Sequence, residues 1–302
     1  MGLTMIPALL FYASLVNDVR ALIEHHDLAA AERQVRAAES RSGVTPEVAA
    51  AFSWLARGAL DAKNYNQADA YAAETRKRCD QLAGARKMDA EPLLPIALGA
   101  SIEVHAQALA ARGERGEAVE FLESQAKTFA GTSLVERIRK NINLLSLEGK
   151  AAPPLDIRDW LGARPRTLAE WRGHPVLLFF WAHWCSDCKA DAPVLAEAIR
   201  EFAPQGLVAM APTRLYGYAA GGAEAGPARE RAYIEEVWRR SYGGLSGVPV
   251  PVGVRNFEAY GSSTTPTIVL VDAAGIVRFY HPGAVTGAEL AARIRAALGH
   301  RP

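Results

Sequence analysis

Three cysteines are too few to staple a chain of 302 residues, so the fold has to stand on a hydrophobic core. An excess of charge of one sign is also missing. Residues 1–150 carry 18 Lys and Arg against 19 Asp and Glu, residues 151–302 carry 16 against 14, and the net charge is +1. That balance argues against nucleic acid or an anionic membrane surface as the main partner. Long apolar runs are scarce too. Met5–Val16 has the look of the hydrophobic part of a secretion signal, but no Lys or Arg precedes it and no Ala-x-Ala cleavage site follows. It is too short to span a bilayer, and the expectation is a buried first helix. No other stretch reads as a membrane segment. The first half is poor in helix breakers, holding 4 of the 17 prolines and 9 of the 25 glycines.

Half of the residues are hydrophobic, enough for an ordinary core, and the length suits two domains. Ala-rich runs such as Leu28–Ala38 and Ser101–Ala111 predict helix throughout residues 1–148. Helical patterns around 11–25, 47–62 and 97–112 are each followed by a polar turn (His26-Asp27, Asn64-Tyr65-Asn66, Gly113 to Gly116) and a second helix. Trp54, Gly58 and Ala70 sit at offsets found in tetratricopeptide repeats, so this all-α domain weakly resembles a degenerate helical-hairpin array. Such arrays bind peptides or proteins, and a purely structural cap is the alternative. Cys79, alone in a helical stretch, reads as a small buried filler. Paired Pro153 and Pro154 mark 149–154 as a linker.

Beyond it, residues 155–302 alternate short apolar runs with turn residues, the pattern of a mixed α/β domain. Thr167 and Glu170 form a capping box expected to open a short helix, and Thr286 with Glu289 a second one, opening the terminal helix to Leu298. Val176–Trp181 and Leu207–Ala211 predict buried strands, Pro227–Tyr242 a helix, and 267–271 with 276–280 a hairpin.

The chemistry concentrates where the first strand meets a helix, at Trp184, Cys185, Ser186, Asp187, Cys188 and Lys189. A cysteine at a helix N-terminus faces unpaired N–H groups and the positive end of the helix dipole, which favour thiolate. Cys185 is therefore the candidate nucleophile. Cys188, one turn on, is placed to resolve a mixed disulfide. A zinc half-site would need two further Cys or His ligands, and nothing after Cys188 supplies them at such spacing, so no metal is expected. His183 reads as a half-exposed strand-end residue.

The segment Phe179–Val194 resembles the active-site segment of the TlpA/ResA-like branch of the thioredoxin superfamily. Gly173 before the strand, Pro193 five residues after Cys188, and Thr265-Pro266-Thr267 before the hairpin match the same branch. The resemblance covers about 150 residues and implies a thioredoxin-like fold: a central mixed sheet flanked by helices. It further implies a helix-kinking Pro193, a cis Pro266, and a backbone at Thr265 that pairs with substrate. Trp184, Thr265 and Pro266 are thus the candidate substrate-binding residues. Phe179 replaces the buried Asp of thioredoxin, and Asp191 occupies the place of an acid common in this branch, where it would handle the proton of Cys188.

The implied activity is reduction or exchange of disulfides in protein substrates. It needs no dissociable cofactor, since the Cys185–Cys188 pair carries the electrons, but it needs an upstream dithiol donor. The acid Asp187 between the cysteines argues against a very strong oxidant. The resemblance implies the cell envelope, with the cytoplasm open. Two alternatives stand beside this reading. A peroxiredoxin-like thiol peroxidase would want a threonine three residues before Cys185, where this chain has Ala182. A helical-repeat binding or scaffold protein would make the redox domain auxiliary. Residues 213–226, Gly- and Ala-rich with Tyr216 and Tyr218, read as an insertion, either a solvated loop or a mobile lid.

Overall fold

The computed structural model describes residues 8–83 and 88–299. Part of the apolar run Met5–Val16 (residues 5–7) lies outside them; the remainder opens a helix. The chain divides into two compact units between Asn141 and Ile142.

The first unit is all-helical: α1 (Ala8–Glu24), α2 (Leu28–Ser42), α3 (Pro46–Asp61), α4 (Tyr65–Ala83), α5 (Leu93–Ala111), α6 (Arg115–Thr128) and the start of α7 (Leu134–Ser146). Polar turns set the pairs. The Asp27 carboxylate accepts from Ala30 N and the Thr45 hydroxyl from Val48 N, so each caps the helix that follows. Gly43, at φ +71°, ends α2 in a conformation that side chains resist. Small residues bring the helices close. A Cβ on Gly58 would meet Ile23 Cδ1 at 2.7 Å, so α1 crosses α3 there on bare backbone. Phe52, fully buried, lies under the Arg78 guanidinium at 3.6 Å from its ring centroid. Cys79 is wholly buried, and burial pushes its thiol up to about 12, as an inert filler requires.

Among the described residues one helix, α5, is long and apolar enough to cross a membrane, with mean hydropathy 1.4. The sequence reading expected no membrane segment here, and Ser101, Glu103, His105 and Gln107 do interrupt the apolar run. Within the unit it is a core helix, with Leu94, Leu98, Ile102 and Val104 buried. Its carboxylate Glu103 accepts from Arg137 and Lys140 of α7.

The second unit is built on a four-stranded sheet in the order β3-β2-β5-β6, from β2 (Val176–Phe180), β3 (Val208–Met210), β5 (Thr267–Val271) and β6 (Val277–Pro282). β2 runs parallel to β3 and antiparallel to β5, and β5 pairs antiparallel with β6. Alternation along the strands feeds two cores. Leu177, Phe179, Ile268 and Leu270 pack with α8 (Ser186–Phe202), α9 (Pro227–Ser241) and α11 (Gly287–Gly299). Val176, Leu178, Phe180 and Val269 pack with Phe257 and Tyr260 of α10 (Val254–Tyr260), a helix absent from the sequence expectations. A two-residue pair, β1 (Trp160–Leu161) with β4 (Val250–Pro251), completes the strands.

Two expectations need correction. The Thr167–Glu170 box forms, with Thr167 N donating to Glu170 Oε2 at 2.7 Å and Glu170 N to Thr167 Oγ1 at 3.2 Å. It closes only turns, not a helix, because Gly173 at φ +90° and Pro175 stop the chain one turn later. The stretch 149–154 is also more than a spacer. Gly149 N donates to Val277 O, Val277 N to Lys150 O, and Ala152 N to Gly275 O. It lines the outer edge of β6 and covers backbone groups that an edge strand would leave unpaired.

Candidate active site

All five residues of β2 are buried, so the strand is fixed between its neighbours and delivers residues 181–185 to one end of the sheet. Trp181 anchors that delivery. Its indole N–H donates to Ala211 O at 3.0 Å, its carbonyl accepts from Thr213 Oγ1 at 2.9 Å, and its ring lies 4.9 Å from Trp238 and 4.7 Å from Tyr242. Cys185 is then the N-cap of α8, its Sγ accepting from Cys188 N at 3.0 Å. Cys185 and Cys188 form a disulfide. Both are nearly enclosed, whereas Trp184 beside them is 49% exposed. Pro193 lies inside α8.

The β2–β5 register pairs Phe180 with Thr267. The start of β5 is therefore at the sheet end from which the cysteine segment departs. Immediately before it the Thr265–Pro266 bond is cis, and Pro266 O accepts from Gly283 N at 2.8 Å. Asp191, three residues past Cys188 and so on the same helix face, is 6% exposed. Its carboxylate accepts from Val285 N at 3.3 Å. Burial raises its pKa above the ordinary aspartate value, and Asp187 adds to this, while the Val285 N–H and His281 oppose it. Phe179 is part of the hydrophobic core.

His183 differs from expectation. It is buried, not half-exposed, because residues of the insertion and α9 enclose it: Tyr216, Tyr218 and Tyr233 place their rings 5.7, 5.4 and 5.4 Å away. Burial lowers its pKa, against the pull of Glu230 and a Tyr218 backbone hydrogen bond. The insertion is knit together rather than loose. Ala225 N donates to Gly217 O and Ala219 N to Ala223 O, and Thr213 pairs with Val252. Glu230 of α9, itself buried, accepts from the backbone N–H groups of Tyr216 and Gly217. Sequence reading missed Glu230, since an acid in the first turn of a helix is ordinary there.

Residues 149–211 match the family model described as AhpC/TSA. The chain is 26% identical over 145 residues to thioredoxin-like protein YneN of Bacillus subtilis, covering 47% of this chain and 76% of the relative. It is 28% identical over 130 residues to thiol-disulfide oxidoreductase ResA of the same organism, covering 43% of this chain and 64% of that one. The second half has a thioredoxin-like fold and is similar to these proteins. Its sheet order, the disulfide at the N-terminus of α8 and the cis-proline before β5 agree with those similarities. Thiol:disulfide interchange protein DsbE of Xylella fastidiosa is 31% identical over 115 residues, 37% of this chain and 49% of the relative. The ResA and DsbE matches thus each span less than two thirds of those relatives. A solved DsbE from Chlorobium tepidum matches half of this chain and 98% of its own, at 22% identity and a TM-score of 0.41.

Proposed function

We propose that this protein is a thiol–disulfide oxidoreductase acting on protein substrates through Cys185 and Cys188. The reading is carried by one observation: the two cysteines form a disulfide across the first turn of α8, with the cis Thr265–Pro266 step at the same end of the sheet. Starting from the reduced pair, the Cys185 thiolate attacks a substrate disulfide, one substrate sulfur leaves as thiolate, and a mixed disulfide forms. Cys188 gives its proton to Asp191 and attacks Cys185, which releases the second substrate thiol and leaves the Cys185–Cys188 disulfide. Two electrons have moved to substrate. A dithiol donor protein restores the pair by the same exchange in reverse and is itself oxidised. A buried carboxylate with a raised pKa suits the proton step, because it holds a proton at less acidic pH than an exposed one. Trp184, Thr265 and Pro266 receive the substrate segment, and the sulfur pair stands in place of a dissociable cofactor.

Cys188→Ser should accumulate mixed disulfides through Cys185, and Cys185→Ser none, as read by trapping on non-reducing gels. Equal trapping by both variants overturns the assignment.

The AhpC/TSA match favours a second reading, a thiol peroxidase. Ala182, where a peroxide-activating threonine would stand, opposes it, and a peroxide-consumption assay decides. We place the protein in the cell envelope on its resemblance to the TlpA/ResA-like branch; recovery in the cytoplasmic fraction alone would reject this. We assign peptide recognition to the helical unit. Support comes from a cavity of about 190 Å³ lined by Ala72, Arg76, Ile102, His105 and Phe121, with the His105 ring fixed by Asp69. Ala73→Trp, from an exposed position on the same lining, should weaken turnover of a native protein substrate and leave insulin reduction as it was; equal effects on both dispose of the idea.

A further inference from the structure

Glu230 stands in the first turn of α9, 1% exposed, yet its carboxylate is not spent on its own helix. It accepts from two successive backbone N–H groups, Tyr216 N and Gly217 N, at the start of the insertion. Removing a carboxylate from water is costly unless strong hydrogen bonds compensate, and charge-assisted bonds to backbone N–H are of that kind. The anchored backbone holds the Tyr216 ring edge-on to Trp184, with centroids 5.5 Å apart, next to Cys185. On the other side the Arg214 guanidinium lies 5.0 Å from the Tyr216 ring and 4.9 Å from that of Phe257.

Three exposed large apolar side chains lie on the segments that meet here. Trp184 is 49% exposed, Leu215 37% and Val254 50%. Leu215 adjoins Tyr216 in the chain. Val254 is brought to the same stretch by the bond from Gly253 N to Thr213 O. Apolar groups left in water beside a reactive disulfide mark a place where a partner's apolar groups are meant to go.

From this we infer that Glu230 is a positioning residue that pins residues 213–226 as a fixed wall of the docking face, which selects protein disulfides flanked by apolar side chains. The inference rests on the oxidoreductase reading and deepens it. The occupant is a protein segment because the wall is continuous with the Cys185–Cys188 pair, where such a segment has to lie during exchange.

The test uses the full-length chain with two substrates, insulin and hydroxyethyl disulfide, which has no side chains to dock. In Glu230→Ala the ratio of kcat/KM for insulin over hydroxyethyl disulfide should fall about tenfold, mostly through insulin KM, because uniform binding is what is lost. Glu230→Gln keeps one acceptor oxygen and should recover part of the ratio. The equilibrium reduction potential should not move. Tyr216→Ala, which leaves the carboxylate in place, should show the same split even if Glu230→Ala fails to fold. An unchanged ratio in Glu230→Ala and Tyr216→Ala, with wild type active on both substrates, overturns the inference and leaves the oxidoreductase reading standing. Equal loss on both substrates does so too. Wild type inactive on both substrates overturns the oxidoreductase reading itself.

Discussion

Each unit holds a largely enclosed acid, and the two are treated in opposite ways. Glu103 of the helical unit is surrounded by cations. Arg137 Nε donates to it at 2.8 Å and Lys140 Nζ at 2.9 Å. Burial works to raise its pKa, but Arg137 and Lys140 outweigh burial and bring it down to about 2. Asp191 of the redox unit accepts a 3.3 Å bond from a backbone N–H, and burial leaves its pKa raised. The first carboxylate is held charged and ties α5 to α7. The second is kept short of partners, so a proton is easily given to it. The same residue chemistry thus serves cohesion in one unit and, in our proposal, proton transfer in the other, according to how many cations the fold supplies.

The largest effect that sharpens this contrast comes from neutralising each acid. Glu103→Gln should cost the helical unit about 3–5 kcal/mol, because Arg137 and Lys140 lose their buried counter-charge. Asp191→Asn should leave stability within about 1 kcal/mol yet slow release of product from the mixed disulfide by about 10²-fold or more. Urea titrations followed by circular dichroism, and single-turnover release, measure the two. Equal destabilisation by both variants would erase the distinction.

Acid should separate the units next. The lowered Glu103 contributes stability that is fully present above its ordinary value of 4.5 and is lost as pH falls towards about 2, amounting to about 3 kcal/mol. Asp191 runs the other way: its contribution is present below the ordinary 3.8 and is lost as pH rises through its raised pKa. Helical signal should therefore melt at higher pH than the near-ultraviolet signal of the tryptophans around Trp181. Coincident acid transitions would contradict this.

The smallest expected effect concerns where the second unit begins. A fragment from Ile142 keeps the bonds of Gly149 and Lys150 to Val277 and the buried Leu147, whereas one from Ala151 loses them. The shorter fragment should be less stable by about 2 kcal/mol, read as its urea midpoint. Equal midpoints would return 149–154 to the status of a plain spacer.

Local signals in the sequence carried much of this. Asp27 and Asn64 mark turns because their side chains accept from the backbone N–H of Ala30 and Gln67, and the helical pairs follow from such turns. The strand–Cys185–helix junction is legible because burial, capping and chemistry lie within a dozen residues. The TlpA/ResA resemblance adds the cis step at Pro266, which no short-range pattern reveals. Long-range partners were invisible. Nothing near Gly149 announces Val277, nothing near Tyr216 announces Glu230, and His183 is hidden by rings contributed from residues 216, 218 and 233. Local composition misled at Thr167–Glu170, where a proper capping box leads only to turns.

Helix α5 carries a consequence of another kind. Any route that brings the unfolded chain past a bilayer presents Leu93–Ala111 as a nineteen-residue apolar segment that lipid could accept. Glu103 lies near its midpoint, the depth at which a charge most strongly discourages insertion, by about 3 kcal/mol. Until Arg137 and Lys140 arrive with the folding of α7, that carboxylate, beside Ser101, His105 and Gln107, is the strongest signal for this segment to stay in water. Once they arrive, the charge that kept the helix out of lipid is the one that holds it in place.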